Sequence, residues 1–226
     1  MTAPLARRAL EGVAQFLLGM ALLLFLPAWS LLYWQGWLLL ALFAASVLAI
    51  TTWFLKRDPA LIERRLKAGA GAEKERSQKT IQTVASLALI LLVAFPGLDH
   101  HFGWSPLSWP FVLLGDALVL LGFAIVFRVF QENSYTSATI EVGSGQSVVS
   151  TGPYALIRHP MYAGSLLLTL GIPPGLGSLW GLVLWLPFAA AILWRLVDEE
   201  RYLVIHLAGY DAYRRTVRWR LVPGIY

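Results

Sequence analysis

The chain has 226 residues, of which 58% are hydrophobic and only 14% charged, with a mean hydropathy of +0.64; soluble domains carry roughly 25% charged residues, so the composition is that of a membrane protein. Zero cysteines exclude disulfides, thiolate metal sites and cysteine nucleophiles. The net charge of +5 forms no basic stripe on a soluble module, so no nucleic acid is expected as a partner, and the cations report topology and contact with anionic lipid heads instead.

A membrane span takes about 20 mostly apolar residues. Segments near 13–33, 36–55, 80–98, 110–130, 160–176 and 178–197 meet or approach that length. They predict an all-α integral membrane protein of six transmembrane helices, or of five if 160–176 falls short. That segment runs into Pro173-Pro174 and reads as a half-length or kinked arm of a hairpin turning at 175–178. One membrane domain over 1–226 is expected: a helical hairpin and charged loop in 1–79, then the remaining helices in 80–226. Arg7-Arg8 precedes an apolar run too long for a signal-peptide core, so the first segment is expected to stay as a helix.

With the N-terminus inside, six spans put all 18 Lys and Arg on the cytoplasmic side or at a cytoplasmic helix end. The opposite connections, 33–36, 99–109 and 173–178, hold none. The N-terminus, the polar 131–157 segment and the C-terminus are therefore expected in the cytoplasm. Trp34, Trp37, Trp104 and Trp109 would form the outer aromatic belt, and Trp53, Trp194 and Trp219 the inner one.

Residues 56–79 mix charges of both signs. Asp58 as N-cap, Pro59 at the first helical position and Gly69 past the end frame a short surface helix. Its Leu61, Ile62 and Leu66 could dip into lipid, or the stretch could be a solvated connector. His100 and His101 read as solvated loop residues rather than metal ligands, since adjacent residues lack ligand spacing, and no metal is expected. Asp116, inside the fourth segment, reads either as a partner-paired structural acid or as part of an ion pathway.

The polar stretch Gln131 to Ile157 contains Gln146-Ser-Val-Val-Ser-Thr-Gly, whose alternation is extended, leaving backbone groups free for a ligand. In Thr151-Gly-Pro-Tyr-Ala-Leu-Ile-Arg-His-Pro-Met-Tyr-Ala-Gly164, Gly152-Pro153 is turn chemistry. Pro160 pushes His159 out of the helical region and suits a first turn. His159 should then sit at a helix mouth with Tyr154 and Tyr162 nearby. The last long segment ends in Arg195, Asp198, Glu199 and Glu200. At helical spacing Arg195, Glu199, Tyr202 and His206 share a face, which is either an Arg195–Glu199 pair or one wall of a site.

Taken together, Gly152-Pro-Tyr154-x3-Arg158-His159-Pro160-Met-Tyr162-x-Gly164, then Glu199-Glu200-x2-Leu203, then Gly209-Tyr210-x2-Tyr213 and Pro223, resembles the isoprenylcysteine carboxyl methyltransferase family, related to the phospholipid N-methyltransferases. The resemblance covers 131 to the C-terminus and implies S-adenosylmethionine held at the cytosolic face under a C-terminal lid. Gln146, Ser147, Val148 and Val149 would line that cofactor through their backbone, and Tyr154 would close over it. His159, Pro160, Met161, Tyr162 and Glu199 would contact it, with Thr139 a looser match. Arg195 would face an acceptor carboxylate, so Arg195 and Glu199 are the residues expected at the chemistry.

Methyl transfer from a sulfonium needs no metal and no protein nucleophile, only positioning and electrostatics. A carboxylate acceptor is already ionised, whereas an amine must first lose a proton, to Glu199, Glu200 or His159. The acceptor class stays open between a lipidated cysteine carboxylate, a phospholipid amine, a thiol and another lipophile, with membrane lipids as surroundings. A small-molecule transporter and a non-catalytic sensor are the readings from other classes.

Overall fold

The computed structural model describes residues 3–66, 71, 73, 75–136 and 146–226. These form α1 (Ala3–Ala28), α2 (Trp34–Arg57), α3 (Pro59–Arg65), α4 (Arg76–Phe102), α5 (Trp109–Glu132), α6 (Pro160–Gly175), α7 (Gly181–His206) and α8 (Tyr210–Thr216), with a 3-10 turn over Gly152–Ala155. Five of them, α1, α2, α4, α5 and α7, are long and apolar enough to cross a membrane. The protein is an all-α integral membrane protein. The expected sixth span is α6, and it falls short: 16 residues give about 24 Å at 1.5 Å per residue, against a hydrocarbon core of about 30 Å.

Helix ends overrun the apolar windows because polar residues carry the hydrogen-bond ladder past the lipid. α1 begins ten residues before its window, where Arg7 and Glu11 pair at 2.7 Å one turn apart. α4 continues through Asp99, His100 and His101 to Gly103, whose φ of +64° ends it. These histidines, expected in a loop, thus lie on the last turn of α4, His100 stacked on Tyr33 and His101 edge-on to Trp29. No metal-ligand cluster occurs among the described residues. α7 likewise runs on through Asp198, Glu199 and Glu200.

α6 is held by its close approach to α5. A Cβ on Gly115 would come within 2.7 Å of the Gly171 carbonyl, and one on Gly122 within 2.7 Å of the Gly164 carbonyl. Small residues let helix backbones touch where lipid supplies no hydrophobic drive. Asp116 lies on this seam beside Gly175, buried, and neither carboxylate oxygen finds a hydrogen bond among the described residues. The expected structural partner is therefore not seen.

At one end of the bundle Tyr33 donates its hydroxyl to the Leu176 carbonyl at 2.6 Å. Nearby, Asp99 accepts from the Ser105 amide at 2.7 Å and from the hydroxyls of Ser105 and Ser178. The α6–α7 turn is thereby tied to α2 and α4. At the other end Asp58 caps α3 by accepting from the Leu61 amide at 3.0 Å, with Pro59 at the first position, as the sequence predicts. Leu61 and Ile62, however, do not dip into lipid. They are buried with Ala9, Phe54, Leu55 and Phe130, and Leu66 packs on the same cluster. Gly69 lies outside the described residues.

Candidate active site

Pro160 starts α6 and His159 is its N-cap residue, at φ −124° and ψ 61°, so the imidazole leaves the helix mouth sideways. His159 is buried and stacks on Tyr162, ring centroids 5.7 Å apart. Behind it Glu200 accepts from Arg158 at 2.6 Å and Arg220 at 2.9 Å, with His159 at 3.2 Å. Arg158 also donates to the carbonyls of Val217 and Arg218, each at 3.0 Å. The backbone amides of Arg158 and His159 donate to Trp219 and Arg220 carbonyls, each at 2.9 Å. One buried carboxylate therefore gathers two arginines and a histidine and binds the C-terminal tail across the start of α6.

On the α7 face next to this cluster, Tyr162 donates its hydroxyl to Glu199. Arg195 does not pair with Glu199, as the one-turn spacing suggests. Its guanidinium donates to Glu73 at 2.7 Å, to Gln82 at 3.0 Å, and to Gln78 and the Tyr162 hydroxyl at 3.2 Å each. Glu73 and Gln78 are buried, which corrects the expectation of a wholly solvated 56–79 connector. Tyr202 and His206 stack on each other at 4.0 Å and do not reach the site, so only half of the predicted α7 face is used.

These groups surround one cavity of about 490 Å³, within the 300–1,000 Å³ typical of ligand sites. Eleven of the residues the sequence singled out line it: Gln146, Ser147, Val148 and Val149; Tyr154; His159, Pro160, Met161 and Tyr162; and Arg195 with Glu199. Thr139 lies outside the described residues. From Glu199 the cavity continues along α7 to Phe188, 11 residues or about 16 Å of helix. This inner half is walled by Ala85, Leu89, Leu168, Phe188 and Ile192. Its mouth is polar and its depth apolar.

Residues 207–226 form the cover. Leu207, Tyr210, Tyr213 and Val217 pack together against Val148, and Tyr213 donates its hydroxyl to the Tyr154 carbonyl at 2.7 Å. Burial pushes the Tyr154 phenol up to about 12, so it stays protonated. Burial also raises the phenol of Tyr210, a cavity-lining residue whose hydroxyl finds no hydrogen-bond partner among the described residues. A buried hydroxyl without a partner is costly, and a polar ligand would satisfy it. Sequence reasoning missed Gln82 and Tyr210 as wall residues and Glu73 as the partner of Arg195; only Tyr210 had a local signal, its place in the Gly209-Tyr210-x2-Tyr213 motif.

The cavity lies among the helix ends of a membrane bundle, with polar side chains at its mouth and apolar ones along α7 toward Phe188. Residues 110–208 match the phospholipid methyltransferase family. Over 125 residues the chain is 31% identical to phosphatidyl-N-methylethanolamine N-methyltransferase of Arabidopsis thaliana, covering 54% of this chain and 68% of that one. Over 137 residues it is 29% identical to Delta(14)-sterol reductase TM7SF2 of Mus musculus, covering 54% of this chain and 32% of that one. The chain thus spans about a third of the length of the sterol reductase. It belongs to the phospholipid methyltransferase family.

Proposed function

We propose that the chain is an S-adenosylmethionine-dependent methyltransferase acting on a membrane lipid, with an amine-bearing phospholipid as acceptor. The observation that carries the reading is one cavity lined by the eleven residues that the family resemblance puts at the cofactor and the chemistry, Thr139 lying outside the described residues. The cofactor would supply a methyl group on a sulfonium, released with the bonding pair left on sulfur. Residues 146–149, Tyr154, His159 to Tyr162 and Tyr210 would hold it at the mouth, and the C-terminal cover would exclude water. The acceptor would lie with its chain along Leu89, Leu168 and Ile192 and its head near Arg195.

An amine acceptor attacks with its nitrogen lone pair and must shed a proton. Glu199, oriented by the Tyr162 hydroxyl, is the carboxylate at the cavity wall placed to take it. The isoprenylcysteine carboxylate has less support, because the guanidinium expected to receive it already meets Glu73. The name of the Arabidopsis relative favours the amine. We further take the cation-rich end of the bundle, with both termini, to be cytoplasmic, and the chain to act as one membrane domain.

Calorimetric titration of the detergent-purified protein with S-adenosylhomocysteine tests the reading. Binding is expected, weakened at least about tenfold by His159→Ala or Glu199→Ala through loss of about 1.4 kcal/mol or more. No binding by the intact protein, together with binding of a reduced nicotinamide dinucleotide, would point to a reductase like the mouse relative and overturn it. Tyr210→Phe should leave the unliganded protein equally stable or slightly more so, since it removes an unbonded hydroxyl. The same change should weaken S-adenosylhomocysteine by about 2- to 10-fold, the worth of one net hydrogen bond; equal affinity would remove Tyr210 from the site.

A further inference from the structure

Glu73 lies outside the stretch that matches the family, 110–208, yet it pairs with Arg195 of the cavity wall. Glu73 is buried and its carboxylate sits 2.7 Å from the Arg195 guanidinium. Arg65, on α3, lines the same cavity, its guanidinium 4.9 Å over the Phe130 ring. Arg65, Arg195 and the Gln82 amide on one cavity wall would by themselves favour an anion. Glu73 supplies the opposite charge where Arg195 reaches the wall.

We infer that Glu73 is the residue that sets acceptor class: by holding Arg195 in an ion pair it makes the acceptor end reject carboxylates and admit an uncharged amine nucleophile. The inference rests on the methyltransferase reading above. Two physical reasons support it. A carboxylate entering this cavity would meet the Glu73 charge beside the guanidinium it needs, and like charges in a desolvated site repel strongly. An amine forming its new N–C bond, as the S–C bond breaks and leaves its pair on sulfur, gains positive charge. A guanidinium with no counter-charge beside it would oppose that development, and the Glu73 carboxylate offsets it.

The test uses the full chain in detergent and a fluorescent twelve-carbon carboxylate, with its methyl ester as the uncharged control. Wild type should bind the carboxylate no better than the ester. Glu73→Gln, which keeps an acceptor for the Arg195 hydrogen bond, should tighten the carboxylate by about tenfold, 1.4 kcal/mol, with the ester unchanged. The double variant Glu73→Gln/Arg195→Gln should lose the gain, and Glu73→Asp should behave as wild type. A wild-type protein that prefers the carboxylate overturns the inference without any variant. So does a Glu73→Gln protein of unchanged selectivity that still binds S-adenosylhomocysteine. In the transfer arm, wild type should methylate phosphatidyl-N-methylethanolamine in vesicles and leave the carboxylate untouched, and Glu73→Gln should shift that ratio of kcat/KM toward the carboxylate. Because the binding arm uses no cofactor, a gain in carboxylate affinity without any S-adenosylhomocysteine binding would overturn the methyltransferase reading and not the charge role of Glu73.

Discussion

Glu200→Ala is expected to lower stability by about 3–5 kcal/mol, the loss found when one partner of a buried ion pair is removed. On the usual scaling for a chain of this size that is a fall in Tm of roughly 6–20 °C. The reason is geometric. Arg158, His159 and Arg220 all converge on this one carboxylate, and the side chains of Arg158 and His159 are as buried as Glu200 itself. Removing it leaves two buried groups that carry or can accept a proton without their counter-charge. It also releases Arg220, one of the ties holding the C-terminal tail. Thermal unfolding in detergent, followed by tryptophan fluorescence, checks the stability. S-adenosylhomocysteine titration at a temperature where the variant is folded checks the site, and a loss of affinity well beyond that of Tyr210→Phe is expected. A variant as stable as wild type would mean that the tail is held by its backbone bonds and not by this charge cluster.

Gly115→Val should be more damaging still, to the point that α6 no longer seats on α5. Even a single Cβ at this position would stand 2.7 Å from the Gly171 carbonyl and 2.8 Å from the Gly175 Cα. Both obstacles are backbone, so no rotamer change relieves the clash. Overpacking a tight core costs about 1–3 kcal/mol when side chains can shift. Here the whole helix must move, and α6 carries His159, Met161 and Tyr162. The expected result is loss of folded protein after detergent extraction, read by size-exclusion chromatography. Gly19→Val, in α1 where a Cβ would meet nothing within 4 Å, should extract normally. Equal yields from the two variants would show that the seam is not tightly packed.

The sequence made some of this legible and hid the rest for identifiable reasons. The start of α6 at Pro160 and the Asp58 cap of α3 were readable because proline and capping aspartate act within one turn, and local chemistry decides them. The eleven cavity residues came from motif resemblance, and the convergence of His159 to Tyr162 on Arg195 and Glu199 follows from antiparallel helices, where the start of α6 meets the end of α7. Glu73 was invisible. It sits in a stretch of mixed charge that reads as solvated, and its partner Arg195 is 122 positions away. For the same reason the one-turn spacing pointed to an Arg195–Glu199 pair, whereas tertiary neighbours took both side chains: Glu73 the arginine, Tyr162 the glutamate. The buried fate of Leu61 and Ile62 was likewise set by Ala9, Phe54 and Phe130, which no local pattern announces.

The shortness of α6 has a consequence for depth. Its far end is tied by Tyr33 to Leu176 and by Asp99 to Ser178, so the deficit of about 6 Å relative to the hydrocarbon thickness falls at the His159 end. The chain entering α6 is non-helical at His159, and amides at this helix start have no partner within the helix and need one from elsewhere. The tail carbonyls of Trp219 and Arg220 do that service for Arg158 and His159. The tail thus acts as a piece of substitute solvent for the start of α6, supplying from protein the acceptors that water gives an exposed helix end.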